Sequence, residues 1–259
     1  NTGVGINTAI GWKVLTDNTS GHSNVGVGAF SLTENTTGNQ NTGLGRNALA
    51  NNTGGDSNVA VGAYALDANT TADYNVAVGL DALGANTTGD LNTAVGGSSL
   101  DANTTGSKNT AVGQNALSAN TTATQNSAFG HAALAKTTTG VYNTGIGADS
   151  LKENTTGNSN TAVGYLSLTN STTASYNTAF GFHALEENLS DSNTGIGYAA
   201  LAANTTGGSC VALGYGALTN STTASNNTAV GYLALGANTT GTRNVAIGSL
   251  ALDRNTTTD

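Results

Sequence analysis

The side chains best placed for chemistry in this chain are asparagines standing two residues before a hydroxyl. Such Asn-x-Thr/Ser tripeptides open at Asn18, Asn35, Asn51, Asn69, Asn86, Asn103, Asn120, Asn154, Asn170, Asn188, Asn204, Asn220, Asn238 and Asn255. In a secreted protein they are candidate acceptors of N-linked sugar through the amide nitrogen. The same residue types also close turns by side-chain to backbone hydrogen bonds. Both readings stand at this level. The tripeptide persists where Asn moves back by one place, as at Asn170 and Asn220, and is missing only where Thr137 replaces the expected Asn.

A second candidate is a regularly spaced run of aromatics, Tyr165, Phe182, Tyr198, Tyr215 and Tyr232. Stacked on one another they form a strip that could bind sugars or another chain, or that packs to stabilise the molecule or its oligomer interface. Catalysis finds no comparable support. His22, His131 and His183 fall at different places in the sequence pattern and make no ligand cluster. Asp67, Asp101, Glu186 and Asp253 share one place in the pattern but not adjacent repeats, so they form neither a carboxylate pair nor a calcium row. No Gly-Lys-Thr or Gly-Lys-Ser follows the glycines, so there is no phosphate loop. The one cysteine, Cys210, excludes an internal disulfide framework; it reads as a small apolar substitute or as a reactive thiol. The expectation is a non-enzyme with no catalytic residue, no cofactor and no metal.

What positions these residues is a repeat. Asn-Thr-Ala-Val-Gly-x-x-Ala-Leu-x-x-Asn-Thr-Thr-Gly-x-x recurs every 17 residues, opening at Asn7, Asn24, Asn41, Asn58, Asn75, Asn92, Asn109, Asn126, Asn143, Asn160 and Asn177. A repeat one residue shorter leads to Asn193, and later starts fall at Cys210, Asn227 and Asn244. Counting from the opening residue, position five is always Gly and position nine always Leu, apart from variation elsewhere; position four is always a large apolar residue, and position three is Ala or Gly. So short a period suits one turn of a β-solenoid. The expected fold is all-β: a parallel β-solenoid of about 15 coils, each with two short strands around a Gly corner and a polar outer loop. Position-four aliphatics and position-nine leucines are expected to form two apolar ladders between the strands, with the small residues on a flat second face. The opening asparagines should form a third ladder of amide-to-amide bonds. Stacking at about 4.8 Å per coil gives a rod on the order of 70 Å long.

Charged residues are only 8% of the chain, and the net charge of −8 disfavours nucleic acid or an anionic membrane as partner. No apolar run reaches the roughly 18 residues of a membrane span, so no membrane contact by this segment is expected. Met is absent and the repeat is already running at Asn1. Residues 1–259 are therefore expected to be one repeat domain excerpted from a longer fibre, with 1–6 a partial coil and 7–259 full coils.

The stretch Asn227 to Leu235, Asn-Thr-Ala-Val-Gly-Tyr-Leu-Ala-Leu, resembles the head repeat of YadA-like trimeric autotransporter adhesins, and related repeats occur in phage and bacterial fibre proteins. The resemblance covers the whole chain and is specific from position one to position nine. It implies a left-handed β-roll in an obligate trimer at a bacterial surface. The longer Asn-Thr-Thr-Gly loop departs from the family's shorter unit, and no anchor domain or coiled-coil stalk accompanies it.

Together these features lead us to expect an extracellular or cell-surface fibre segment with a structural or adhesive role. Its partners would be further copies of itself, as a homotrimer or filament, and a host-surface or glycan ligand. A phage tail-fibre shaft, with localisation on the virion, is one rival. An ice-binding β-solenoid is another, on the footing of Thr pairs such as Thr70-Thr71 and Thr87-Thr88, although these fall in an expected loop beside Asn and Gly.

Overall fold

A computed structural model describes residues 5–257 and shows an all-β parallel solenoid with one three-residue strand per repeat. The chain divides into two compact units, residues 1–128 and 129–259. In the first, strands β1 (Thr8–Ile10), β2 (Val25–Val27), β3 (Thr42–Leu44), β4 (Val59–Val61), β5 (Val76–Val78), β6 (Thr93–Val95) and β7 (Thr110–Val112) pair in parallel in sequence order. Strand β8 (Ser127–Phe129) falls at the division. In the second, β9 (Thr144–Ile146), β10 (Thr161–Val163), β11 (Thr178–Phe180), β12 (Thr194–Ile196), β13 (Val211–Leu213), β14 (Thr228–Val230) and β15 (Val245–Ile247) do the same. Every strand occupies positions two to four. The shortened repeat keeps this register, with Thr178 opposite Thr194. Its missing residue is therefore absorbed in the loop.

The side chains point the other way from the expectation. Position three is the inward one: Ala60, Ala77, Ala94, Ala111, Ala162 and Ala179 are fully buried. Position four faces out, with Leu44 45%, Phe180 56% and Leu213 43% exposed. The interior is too narrow for a bulky residue there. A Cβ built on Gly43 would lie 2.5 Å from Ser31 Oγ, and one on Gly26 2.5 Å from Val14 Cγ1. Alternation along a strand fixes that positions three and four oppose each other, and the confined space decides which is inside. Position-nine Leu is buried as expected: Leu32, Leu49, Leu66, Leu83, Leu100 and Leu117 are completely covered.

The expected second strand is replaced by successive turns. Positions seven and nine adopt left-handed φ, as at Tyr64 (58°) and Leu66 (53°), in alternation with a residue of negative φ between them. That costs about 1–2 kcal/mol for a non-Gly residue, but it aims successive amides along the stacking direction. Tyr64 donates its N–H back to the Arg46 carbonyl at 2.9 Å, and Leu66 donates forward to the Ala82 carbonyl at 3.0 Å. This segment thus bonds coil to coil without being extended. Gly at position five is demanded twice over. Gly62 has φ of 140°, and a Cβ on it would lie 2.2 Å from the Gly79 carbonyl oxygen.

One Leu per coil contributes about 1.5–3 kcal/mol on burial, against about 1–2 kcal/mol for ordering each backbone residue. Apolar burial therefore does not hold the coil closed by itself. Beside the small Ala and Ser side chains, the rest of the interior is asparagine.

Candidate functional site

Two buried amide columns run through the coils. At position one, each Oδ1 accepts the backbone N–H of the next opening residue, as Asn24 Oδ1 does from Asn41 at 2.9 Å. Most Nδ2 groups donate across the coil to the position-fifteen carbonyl, as Asn41 does to Gly55 at 2.7 Å, whereas those of Asn75 and Asn177 are buried without a partner. Amide-to-amide bonding, expected here, is instead the rule at position twelve. Asn52 Nδ2 donates to Asn35 Oδ1 at 2.8 Å, Asn69 to Asn52 at 2.7 Å, and Asn103 to Asn86 at 2.8 Å. The same nitrogens also close the loop on the carbonyl three residues on, as Asn103 does on Gly106 at 2.9 Å.

The position-twelve column contains most of the candidate glycan acceptors, and their expected exposure is overturned. Asn35, Asn69, Asn86, Asn103, Asn120, Asn154, Asn188, Asn204 and Asn238 are 0% exposed and Asn18 3%. Sugar transfer needs a free amide nitrogen, and in this fold that nitrogen is covered and spent on hydrogen bonds. The turn-closing alternative accounts for these residues. Asn51 and Asn220 sit one place earlier and are exposed, Asn170 likewise but half-buried, and Asn255 is half-buried near the end of the described residues. Asn170 Nδ2 donates to Glu187 Oε1 at 2.8 Å, and Asn220 Nδ2 to the Gly236 carbonyl at 2.7 Å. At Asn51, Asn170 and Asn220 the inward place is taken by Asn52, Ser171 and Ser221, all fully buried.

The aromatic strip is assembled, within the unit 129–259. Ring centroids are 5.5 Å apart for Tyr165 and Phe182, 5.4 Å for Phe182 and Tyr198, 4.8 Å for Tyr198 and Tyr215, and 5.5 Å for Tyr215 and Tyr232. The last three pairs are stacked, so the ring faces that a sugar would cover are largely turned to one another. The rings remain 42–52% exposed through their outer parts. Across the Gly corner stand the outward residues of β9 to β14, including Ile146, Phe180 and Leu213, each at least 41% exposed. The strip therefore borders a second apolar column.

The titratable groups do not converge. His183 pairs with Glu186 three residues away, and among the described residues no group of three His, Cys, Asp or Glu side chains could hold a metal ion. An acidic row stands outside the position-ten set: Asp56, Asp73 and Asp90 occupy position sixteen on consecutive coils. Asp56 Oδ1 accepts the Asn39 N–H at 2.6 Å, Asp73 that of Asp56 at 2.7 Å, and Asp90 that of Asp73 at 2.8 Å. The row thus serves as a loop clamp, and its signal in the sequence is the same residue type at one position of three consecutive repeats. Burial raises the carboxyls of Asp67 and Asp101 above the ordinary range, and the charge of Asp81 adds to both shifts.

Cys210 is buried in the position-one column, where its N–H donates to Asn193 Oδ1 at 2.9 Å and its thiol to the Ala224 carbonyl at 3.2 Å. Burial raises its pKa, which keeps it in the unreactive thiol form. A shallow open groove in the unit 1–128 is lined by Phe30, Glu34, Arg46 and Asn51, with the Arg46 guanidinium 5.6 Å from the Tyr64 ring centre. It brings together no nucleophile with a base. No protein-family model matches this chain, and no curated protein matches it.

Proposed function

We propose that this chain is a structural segment of an extracellular fibre with an adhesive role, assembled from copies of itself as a homotrimer or filament. The observation that carries the reading is the outward position-four column. Within residues 1–128 it runs through Val27, Leu44, Val61, Val78, Val95 and Val112, and within 129–259 through Ile146, Val163, Phe180, Ile196, Leu213 and Val230. No charged residue interrupts either run. A long uncharged apolar strip on a repetitive surface is a contact surface, because monomeric proteins seldom leave one open to water. Identical side chains in register can interdigitate with a second such column to form a dry interface.

The extracellular placement and the adhesive role rest on the resemblance of the repeat to surface-adhesin heads. Among the described residues there is no helix long and apolar enough to cross a membrane. Sedimentation across a concentration series tests the assembly. Association weakened by Val95→Lys and Val163→Lys is the expected result, while a wild-type chain that is folded and monomeric throughout would sink it. Binding to immobilised cell-surface glycans tests the adhesive role separately.

A further inference from the structure

The column at position fourteen has no task inside the fold, yet it is almost always Thr. Within residues 129–259 it runs through Thr139, Thr156 and Thr173, and again through Thr206, Thr223 and Thr240, every one exposed. Their hydroxyls bond to no described residue. The preceding Thr differs in this respect. Thr138 Oγ1 donates to the Thr155 carbonyl at 3.2 Å, Thr155 Oγ1 to Thr172 at 3.0 Å, and Thr205 Oγ1 to Thr222 at 2.9 Å. Position thirteen is Thr because the loop needs it, whereas position fourteen would fold with any small polar residue.

Apart from Thr173, whose N–H donates to no described residue, the exposed threonines are also rigidly held. The Thr155 carbonyl takes the N–H groups of Thr138 and Thr139 at 3.0 and 3.3 Å, and the Thr172 carbonyl those of Thr155 and Thr156 at 2.7 and 3.4 Å. With the hydroxyls, and with the Gly140 N–H at 3.3 Å, the Thr155 carbonyl has four donors and the Thr172 carbonyl three, which fix these loops at the strand repeat, about 4.8 Å per coil. The position-sixteen residues beside the column are Val141, Asn158 and Ser175 in one run and Gly208, Ser225 and Thr242 in the other, all uncharged. Only the shortened repeat breaks the pattern, with Leu189, Ser190 and Asp191.

What a column has and a cluster lacks is its period. A small soluble ligand is held by a few converging groups, while an identical methyl and hydroxyl at every step matches a surface that repeats on the same atomic scale. From this rigid, neutral and periodic array we infer that the threonine column binds the surface of an ice crystal, its methyls and hydroxyls ordering a row of water that merges with the lattice. This activity is separate from the lateral assembly, which uses the strand face.

Ice-recrystallisation inhibition by the purified chain tests it. The wild type should inhibit crystal growth. The double variant Thr156→Lys/Thr223→Lys, verified as folded by circular dichroism, should lose that inhibition. Ser159→Lys places the same charge in a different exposed column, at a position type where Lys108 already stands, and should retain it. Asp191→Ser should strengthen inhibition: it removes the one charge beside the column, and Ser replaces the acceptor of the Ser175 N–H, a bond of 2.8 Å. A folded wild type without inhibition, a double variant as active as the wild type, or equal loss in Ser159→Lys would each overturn the inference.

Discussion

Ser171 follows Asn154 in the buried amide column, and neither the Ser171 Oγ nor the Asn154 Oδ1 has a hydrogen-bond partner. Ser221 and Asn204 repeat the defect three coils later in the sequence, again with both oxygens unpaired. Where the column is intact, as between Asn103 and Asn120, the amide nitrogen fills that gap at 2.7 Å. A buried polar atom left unpaired costs about 1–3 kcal/mol.

Ser171→Asn and Ser221→Asn should therefore each stabilise the chain by about 1–2 kcal/mol. The new Nδ2 reaches the orphaned Oδ1, and its other hydrogen meets the carbonyl three residues on, as in the neighbouring coils. Thermal melts of the single variants give the check. An unchanged or lowered Tm in both would mean that the column does not tolerate Asn at these coils.

Leu117 is completely buried and has φ of 52°. Leu117→Ala should cost about 2–5 kcal/mol through lost burial and the cavity left behind. Leu117→Asp should be worse, because it places a charge where no cation stands to meet it. Denaturant unfolding measures the first. For the second, loss of cooperative unfolding is the expected result, and a native-like transition would place Leu117 outside the core.

The glycine at position five makes a sharper backbone test. Gly62→Ala forces a side chain into φ of 140° and against the Gly79 carbonyl oxygen. It should destabilise by about 3 kcal/mol or more. Gly84→Ala, whose nearest neighbour to a new Cβ is 3.4 Å away, should be nearly neutral and serves as the control in the same unfolding series.

The period, the obligatory Gly, the inward Leu and the parallel stacking were all legible in the sequence, because each is a repeated residue type with one physical cause. The orientation of the strand was not. Val95 is more apolar than Ala94, and hydrophobicity alone puts Val95 inside. The interior of a one-chain coil this narrow admits only Ala or Gly at position three, which is a fact of volume rather than polarity. The amide columns were misplaced for a related reason. Asn86 and Asn103 look like loop surface, yet an interior crowded with carbonyls such as those of Gly89 and Gly106 needs donors. The threonines were harder still, since Thr104 and Thr105 are adjacent and alike, and only the hydrogen bonds separate the structural one from the free one.

Asp101 supplies a dependence on pH. Burial is the main cause of its raised pKa, so the folded chain holds the proton more tightly than the unfolded one. Stability should then be greater below the ordinary carboxylate pKa and fall as pH rises through the raised value. Its Oδ1 is buried without a hydrogen-bond partner. Asp101→Asn should remove this contribution and raise the melting temperature at neutral pH while leaving it nearly unchanged in acid. Equal shifts at both pH values would assign the effect to packing.

The last prediction separates the two readings of the aromatic strip. Tyr198 and Tyr215 stack with centroids 4.8 Å apart and an interplanar angle of 9°. If the strip works by mutual packing, a double-mutant cycle with Tyr198→Ala and Tyr215→Ala should return a coupling of about 0.5–1.5 kcal/mol in unfolding. If it also contacts another copy, the same variants should weaken association by more than the cycle explains, since each ring is about half exposed before assembly. Measuring unfolding and sedimentation on one set of proteins distinguishes the cases. Coupling in unfolding with unchanged association confines the strip to packing, whereas no coupling at all would mean that the observed stacking does not contribute to stability.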